Sequence, residues 1–204
     1  LRLFPNLEGD KVTFIGSTFL RYGEKEPYLN HCLVLGGCKD VEGAVIETTK
    51  TEQELLLKWK DLIQKEDPDV IIGYNIFGFD YEFMFRRAQE NYCERQFLQL
   101  SRIKNDICAK EVKSKNNELA IENTKIVLAT GEYDLRFYKT IGRLQVDMYT
   151  YFRRDFNLAS YKLDDVAGQY ISDSIKHFTN VNHEQHGEIT ELYSKNLSGL
   201  HVGD

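Results

Sequence analysis

Asp80 is the residue whose position in the sequence points most clearly to a functional role. It follows residues 70–74, a continuous apolar run typical of a β-strand covered on both faces, and it stands at the entrance to a helical pattern. Because ligand-binding and catalytic groups gather at the carboxyl ends of such strands, we expect Asn75, Gly78 and Asp80 at the rim of a sheet. Alternatively, Asp80 only caps the helix, which is worth about 1 kcal/mol and requires no metal.

Two other groups of polar residues could take part in chemistry, but each has a plainer interpretation. His177, His183 and His186 could suggest a metal cluster, because imidazole is a frequent ligand. They lack cysteines at ligand spacing and lie in a polar stretch, which favours a solvated loop. Arg153 and Arg154 could contact phosphate, and a solvated helix face explains them equally well.

The elements that must position Asp80 can be predicted from periodicity and turn signals. Residues 11–22 and 28–35 are rich in β-forming residues and are separated by a turn, which predicts two antiparallel strands. A capping box of Thr51 and Glu54 starts an amphipathic helix over residues 52–65. The other predicted strands are at 44–48, 70–74, 125–129, 135–140 and 143–149, and the other predicted helices are at 81–91, 152–156 and 160–170. Residues 105–123 are polar and predict a loop or extension, and residues 172–198 are a polar stretch without clear period. This order predicts an α/β sandwich around a mixed sheet.

Composition and charge limit the classes of protein that remain. The 204 residues are 42% hydrophobic and 28% charged, which is ordinary for one globular domain. The net charge of −6 gives no support to nucleic-acid binding, although residues 101–155 carry 11 basic and 8 acidic residues. No apolar run approaches the ~20 residues of a membrane span. Four cysteines without C-x-x-C spacing predict reduced thiols in a protein that is not secreted.

Four blocks of the sequence resemble family B DNA polymerases, in particular the delta-like and large-DNA-virus branch. Residues 67–80, DPDVIIGYNIFGFD, are similar to the second motif of the family's 3′–5′ exonuclease domain. Residues 98–102 resemble the linker after that motif, residues 142–148 (GRLQVDM) a later strand, and residues 160–167 (SYKLDDVA) the helix that follows. The blocks occur in the family's order between residues 11 and 171, so the resemblance covers most of the chain.

The resemblance implies a fold, a reaction and site residues. The fold is ribonuclease-H-like (DnaQ-like exonuclease), a mixed α/β sheet flanked by helices with a β-hairpin extension. The reaction is proofreading, in which two Mg²⁺ or Mn²⁺ ions held by four carboxylates hydrolyse the bond of a mispaired 3′ nucleotide. Asp80 would be the catalytic metal ligand of the second motif, and Asn75 and Phe79 would bind the frayed DNA end, where an aromatic ring can stack on a base. Asp147 lies in the matching block 142–148, and for it a structural hydrogen-bonding role is favoured over the alternative of metal binding.

The resemblance also implies partners and a location. The partners are DNA, as a single-stranded 3′ end and as primer–template, and polymerase domains of the same polypeptide. A sliding clamp is a further candidate partner, and no membrane is involved. The location is the nucleus or a viral replication site, nuclear or cytoplasmic, in the host cell.

The sequence departs from the family pattern at two of the three exonuclease motifs. The family's Asp-x-Glu pair is missing before the first strand, and Glu8-Gly9-Asp10 has its two acids in the reverse order. Tyr161 and Asp165 fit the Tyr-x-x-x-Asp pattern of the third motif, but they belong to a helix that precedes that motif in the family, so we interpret them as a decoy. Without an initiator Met, the chain is expected to be an internal fragment. Because it supplies one of the family's four metal-binding carboxylates, it is expected to be inactive alone.

We therefore expect residues 1–171 to be a partial exonuclease domain that lacks the first and third motifs. Residues 172–204 are expected to be a polar extension or the start of an inserted module, with residues 197–204 resembling one found in some viral members. Two alternatives stay open. One is a degenerate exonuclease fold that only binds DNA or braces the polymerase, against which the retained Asp80 argues. The other is a non-enzymatic α/β interaction domain.

Overall fold

The computed structural model describes residues 5–112, 118–172, 175–183, 185 and 187–194. The strands are β1 (Phe14–Phe19), β2 (Leu29–Leu35), β3 (Val45–Thr49), β4 (Val70–Gly73), β5 (Lys110–Glu111), β6 (Leu119–Ala120), β7 (Glu122–Leu128), β8 (Gly131–Phe137), β9 (Leu144–Asp147), β10 (His177–His183) and β11 (Gly187–Tyr193). The helices are α1 (Glu52–Glu66), α2 (Tyr81–Glu90), α3 (Glu94–Phe97), α4 (Met148–Asp155) and α5 (Leu163–Tyr170), and one π-helical turn, Ile76–Asp80, precedes α2. The chain divides into two compact units, Leu1–Phe156 and Asn157–Asp204.

Strands β1, β2 and β3 form a mixed sheet with β2 at its centre. β1 runs antiparallel to β2, with Phe14 opposite Val34, which confirms the predicted pairing. β3 pairs with the other edge of β2 in parallel. Leu33 on the central strand is fully buried, whereas Phe14 on the edge strand is 67% exposed. The outer edge of this sheet is therefore open on the β1 side among the described residues.

Helix α1 has the local signals that the sequence predicts for it. The Thr51 hydroxyl accepts a hydrogen bond from the Glu54 backbone N–H at 3.1 Å, which is one half of a capping box. The Glu54 carboxylate accepts from the N–H of Lys50, one residue earlier than in the standard box. The helix ends at Asp67, which is left-handed (φ 47°). On its buried face, the Trp59 indole donates to a β1 hydroxyl at 3.3 Å and so ties the helix to the first sheet.

Strands β4 and β9 form a separate parallel pair, with Gly73 opposite Asp147. The prediction that residues 70–74 are covered on both faces is wrong here, because Val70 and Ile72 are 42% and 63% exposed. The two side chains stand two residues apart and so point to the same face of β4, and that face is open to solvent in the part of the chain that the structure describes. The α/β order is thus confirmed, but the strands fall into small sheets instead of one mixed sheet.

The core lies where helices α1, α2 and α3 meet the loop after α3 and the end of β8. Its large apolar side chains that are less than 2% exposed include Leu33, Leu55, Leu56, Phe97, Leu98, Leu100, Cys108 and Tyr138. Tyr138 makes this core continuous with the start of α2, because its ring stacks on Tyr81 at 4.4 Å between centroids. The turn before α2 is consequently held by the core beneath it.

The later parts of the chain contain more regular structure than the sequence predicts. The predicted loop at residues 105–123 contains the short pair β5–β6, and β7 begins within it. Residues 172–198 contain the antiparallel hairpin β10–β11, whose strands read as polar because most of their side chains are exposed. The module predicted at residues 197–204 lies outside the described residues. No helix in the described ranges is both long and apolar enough to cross a membrane.

Candidate functional site

The chain turns sharply between β4 and α2, and Asn75 makes this turn. Asn75 is left-handed (φ 62°), a conformation that asparagine tolerates better than most residues. Its carbonyl accepts hydrogen bonds from the N–H groups of Gly78 and Phe79, both at 3.1 Å. The π-helical turn Ile76–Asp80 then runs directly into α2. The sequence prediction that a strand delivers Asn75, Gly78 and Asp80 to a sheet rim is confirmed.

Gly78 leaves room for the Asn75 side chain to fold over the turn. A Cβ atom at residue 78 would lie 2.2 Å from Asn75 Oδ1 and 3.0 Å from its Cγ. Real Cβ atoms do not approach other heavy atoms so closely, so a larger residue would push the Asn75 side chain away. The glycine and the asparagine are therefore a matched pair.

Asp80 lies at the last position of the π-helical turn with helical backbone angles (φ −60°, ψ −41°), and it is exposed. Its side chain makes no capping hydrogen bond to α2, so the alternative that it serves as an N-cap is wrong. Although solvent reaches the residue, the protein packed around the carboxyl raises its pKa above the ordinary value, chiefly by desolvation. The negative charge of Asp147 raises that pKa further, and the Asp80 backbone N–H opposes both effects.

Asp147, at the end of β9, is a buried carboxylate that binds the backbone of the turn. Its Oδ1 accepts from the N–H of Asn75 at 2.7 Å, and its Oδ2 accepts from the N–H of Phe77 at 2.9 Å. Oδ1 also accepts from the N–H of Tyr149 at 2.9 Å and thereby caps α4. The predicted hydrogen-bonding role of Asp147 is confirmed.

Aromatic rings surround the start of α2. Phe79 stacks on Phe83, with ring centroids 5.2 Å apart and planes 19° apart. The hydroxyl of Tyr138 donates to the carbonyl of Tyr81 at 2.6 Å, and burial raises the pKa of both tyrosines. These contacts fix the first turn of α2. The backbone next to Asp80 is therefore stabilised by packing against the core.

A groove of about 700 Å³ runs between β1 and β4 and reaches Asp80. Every residue of the two strands lines it, and Phe79 and Asp80 are also part of its wall. Trp59, Ile63 and Met84 contribute apolar surface from α1 and α2. Among the described residues, neither facing strand edge has a partner. The carboxylate is thus adjacent to two open strand edges with an apolar lining.

Arg153 and Arg154, the two basic residues of α4, lie in different environments, which the sequence does not reveal. The guanidinium of Arg153 lies over the rings of Tyr133 and Tyr149, at 4.9 Å and 4.6 Å from their centroids. Arg154 pairs with its neighbour Asp155 through two hydrogen bonds of 2.8 Å. Arg153 therefore ties the β7–β8 hairpin to α4, a role that only long-range contacts could show.

The second unit contains the decoy residues and the histidines. The hydroxyl of Tyr161 accepts from the Leu158 N–H at 3.3 Å, and the exposed Asp165 accepts from the hydroxyl of Ser160. His177 and His183 are the ends of β10, so the prediction of a solvated loop there is wrong. His186, the third histidine of the suggested cluster, lies outside the described residues.

The residues present supply part of a divalent-metal site. Mg²⁺ and Mn²⁺ require several oxygen ligands. Asp80 offers one exposed carboxylate, while the carboxylate of Asp147 is already engaged by three N–H groups. In the described ranges, no group of three or more His, Cys, Asp or Glu side chains could hold a metal ion. A complete divalent site therefore does not fit these residues alone.

The chain is an α/β domain with a carboxylate exposed at the carboxyl end of a parallel strand. A family model described as DNA polymerase family B, exonuclease domain, matches residues 1–166. The chain therefore belongs to the exonuclease domain of the family B DNA polymerases, which confirms the resemblance carried by the four sequence blocks.

The chain is similar to viral DNA polymerases and to DNA polymerase delta catalytic subunits. It is 42% identical to the DNA polymerase of Phaeocystis pouchetii virus over 212 residues, which cover 99% of the chain and 20% of that protein. It is 36% identical to the DNA polymerase of Pyramimonas orientalis virus, covering 98% of the chain and 15% of the relative. It is 32% identical to the DNA polymerase delta catalytic subunit of Mesocricetus auratus, covering 95% of the chain and 16% of the relative. The chain thus spans between 15% and 20% of these relatives' lengths.

Proposed function

We propose that the chain is part of the proofreading exonuclease of a replicative family B DNA polymerase, which removes mispaired 3′-terminal nucleotides. The observation that carries this proposal is the exposed Asp80 carboxylate at the end of the π-helical turn that follows β4. This turn lies within the segment that the family model matches. By itself the chain is inactive, because it contributes one carboxylate where a two-metal site needs several.

Asp80 is the metal ligand in this proposal. When bound, Mg²⁺ or Mn²⁺ supplies activation of the attacking water and stabilisation of the leaving 3′ oxygen. Asp80 holds its carboxylate toward the groove, and Asn75 and Phe79 lie on the same turn and contact the frayed DNA end. Phe79 can offer a ring face or edge to an unpaired base, although in the free chain it stacks on Phe83.

The groove between β1 and β4 is where the site is completed. Two facing strand edges with an apolar lining are suited to receive one extended strand, since unpaired N–H and C=O groups on an edge bind another strand. We propose that polypeptide outside this chain supplies that strand and brings the missing Asp-x-Glu pair beside Asp80. The inserted strand would join the small sheets into the continuous mixed sheet of a ribonuclease-H-like (DnaQ-like) fold.

The relatives support a proposal for the partners and the location. DNA, as a single-stranded 3′ end and a primer–template, is the proposed substrate, and polymerase domains of the same polypeptide are proposed neighbours. A sliding clamp is a further proposed partner. Replication in the nucleus or at a viral replication site is the proposed location. Residues 1–171 are proposed as the exonuclease part, and residues 172–204 as an extension.

The test is cleavage by the complete polymerase that contains this chain. Asp80→Ala is expected to abolish Mg²⁺-dependent degradation of 3′-labelled single-stranded DNA while the unfolding temperature stays unchanged. Asp40→Ala, which removes another exposed carboxylate remote in sequence, is the matched control. Near-normal cleavage by Asp80→Ala would overturn the proposal and favour a degenerate domain that only binds DNA. The coding sequence on both sides of the chain provides a second test, since it should encode an Asp-x-Glu pair upstream and a Tyr-x-x-x-Asp downstream.

A further inference from the structure

Backbone N–H groups surround the carboxylate of Asp147. It is 5% exposed and accepts three hydrogen bonds, from Asn75, Phe77 and Tyr149. An ionised carboxylate accepts on both oxygens and donates on neither, so it is the side chain that suits such a set of donors. Two of the three donors, the N–H groups of Asn75 and Phe77, lie more than 65 residues away in sequence. A helix cap requires only donors from the helix itself, so these two bonds serve another purpose.

The parallel pairing of β4 with β9 creates this contact. Gly73 lies opposite Asp147 in the register, so both strands end at the same edge. The chain after β4 must then turn directly over the carboxylate. The two oxygens of Asp147 bind the N–H groups of residues on either side of Ile76, the first residue of the π-helical turn. Asp80 is the last residue of the same turn.

The left-handed Asn75 makes this anchoring necessary. Asn75 has a positive φ of 62°, a sparsely populated conformation for a non-glycine residue, which persists only where the surroundings enforce it. The N–H of Asn75 donates to Asp147, and the carbonyl of Asn75 accepts from Gly78 and Phe79. The buried carboxylate therefore fixes Asn75 at the start of the turn. The hydrogen bonds from Gly78 and Phe79 to Asn75 then hold the end of the turn relative to its start.

We propose that Asp147 is a positioning residue for the Asp80 site: it holds the Asn75–Asp80 turn and so sets where the Asp80 carboxylate lies, without touching metal or DNA. The inference rests on the proposed function of Asp80 and adds a residue to it. A helix cap alone would need only the bond to Tyr149. The two bonds to the turn are what distinguish positioning from capping.

Two variants separate these roles. Asp147→Asn keeps the shape of the side chain but points an NH₂ group at one of the backbone donors, which breaks at least one bond. Asp147→Ser keeps a hydroxyl that can cap α4, because serine is a good N-cap, but it is too short to bind both turn amides. The control is Thr51→Ala, which removes the N-cap of α1 and leaves the turn untouched.

The measurements use the complete polymerase. Hydrogen-exchange mass spectrometry reports protection of residues 74–80, titration reports Mn²⁺ affinity, and steady-state cleavage of single-stranded DNA separates kcat from KM. We expect both Asp147 variants to lose protection in that segment. We also expect them to bind Mn²⁺ about 10- to 100-fold more weakly and to lose a similar factor in kcat. KM should rise as well, because Asn75 and Phe79, the proposed DNA contacts, stand on the same turn, so the Mn²⁺ affinity is the readout that reports the Asp80 carboxylate itself. Thr51→Ala should change none of these.

Two results would overturn the inference: wild-type Mn²⁺ affinity and kcat in both Asp147 variants, or equal losses in Thr51→Ala. Asp80→Ala, measured alongside, separates this failure from that of the proposed function. If Asp80→Ala binds Mn²⁺ and cleaves normally, the proposed function fails and the positioning role falls with it. If Asp80→Ala is inactive while the Asp147 variants are normal, only the positioning role is wrong.

Discussion

Glu52 on α1 and Arg87 on α2 form a buried ion pair with two parallel hydrogen bonds of 2.8 Å, from Nε to Oε1 and from Nη2 to Oε2. Their side chains are 3% and 5% exposed. Glu52 also accepts from the Val12 N–H at 2.8 Å and from the Asn91 amide at 2.9 Å. One carboxylate therefore joins the segment before β1 to both helices that flank the groove.

Removing one member of this pair should destabilise the chain strongly. Arg87→Met leaves Glu52 buried without its main partner, and we expect the free energy of unfolding to fall by about 3–5 kcal/mol in urea titration. Arg95→Met is the control, because the Arg95–Glu111 pair is exposed and should be worth at most about 1 kcal/mol. Equal small losses in both variants would contradict the structural importance of the buried pair.

The same pair predicts a dependence of stability on pH. Burial raises the pKa of Glu52, but hydrogen bonds from Arg87, Asn91 and the Val12 N–H outweigh it, so the pKa is lower than usual. A carboxyl with a lowered folded-state pKa stabilises the fold above its unfolded pKa and loses that contribution as the pH falls through the folded value. The stability gap between wild type and Glu52→Gln should be widest above about pH 4.3 and narrow in more acidic solution. A gap that is constant from pH 7 to pH 3 would contradict this assignment.

Gly78→Ala should disturb the turn that carries Asp80. The added methyl would lie 2.2 Å from Asn75 Oδ1, so the Asn75 side chain must move, and we expect a loss of about 1–3 kcal/mol in unfolding free energy. Gly168→Ala is the matched control, because nothing lies within 4 Å of its added Cβ in α5. There the substitution should stabilise by about 0.5–1 kcal/mol, since alanine is the better helix former. A neutral Gly78→Ala would show that the turn is looser than its geometry implies.

Tyr138→Phe should loosen the first turn of α2. The substitution keeps the ring that stacks on Tyr81 but removes the hydroxyl that donates to the Tyr81 carbonyl. We expect a loss of about 1 kcal/mol, measured by chemical denaturation. Tyr92→Phe provides the comparison, because Tyr92 is 92% exposed and its substitution should be neutral.

Tyr161→Phe should leave exonuclease cleavage by the complete polymerase largely intact, because we interpret Tyr161 and Asp165 as a decoy of the third motif. Asp165 accepts from Ser160 within its own unit, as expected for a residue at the start of a helix. The assay is the degradation of 3′-labelled single-stranded DNA that is used for Asp80→Ala. A loss of several orders of magnitude would show that Tyr161 belongs to the site.

The elements predicted correctly are those whose signals are local. Thr51 and Glu54 are three residues apart, and their hydrogen bond forms within one turn, so the start of α1 can be predicted from the sequence. The antiparallel β1–β2 hairpin is also predicted correctly, because a short connection between two β-rich runs favours it. The exposure of Val70 and Ile72 is not predictable in this way, because it depends on which strands lie beside β4.

The sequence by itself determined the family, the α/β order of the elements and the choice of Asp80 as the candidate carboxylate, because these depend on residue identities and short spacings. Only the tertiary structure decided that Asp80 does not cap its helix, that Asp147 binds the turn before it, and that an open groove lies between β1 and β4. The contact from Asn75 to Asp147 spans 72 residues and exists because β4 and β9 pair in parallel with one register. Such long-range pairing arises from packing of the whole chain, which no local pattern of residues encodes.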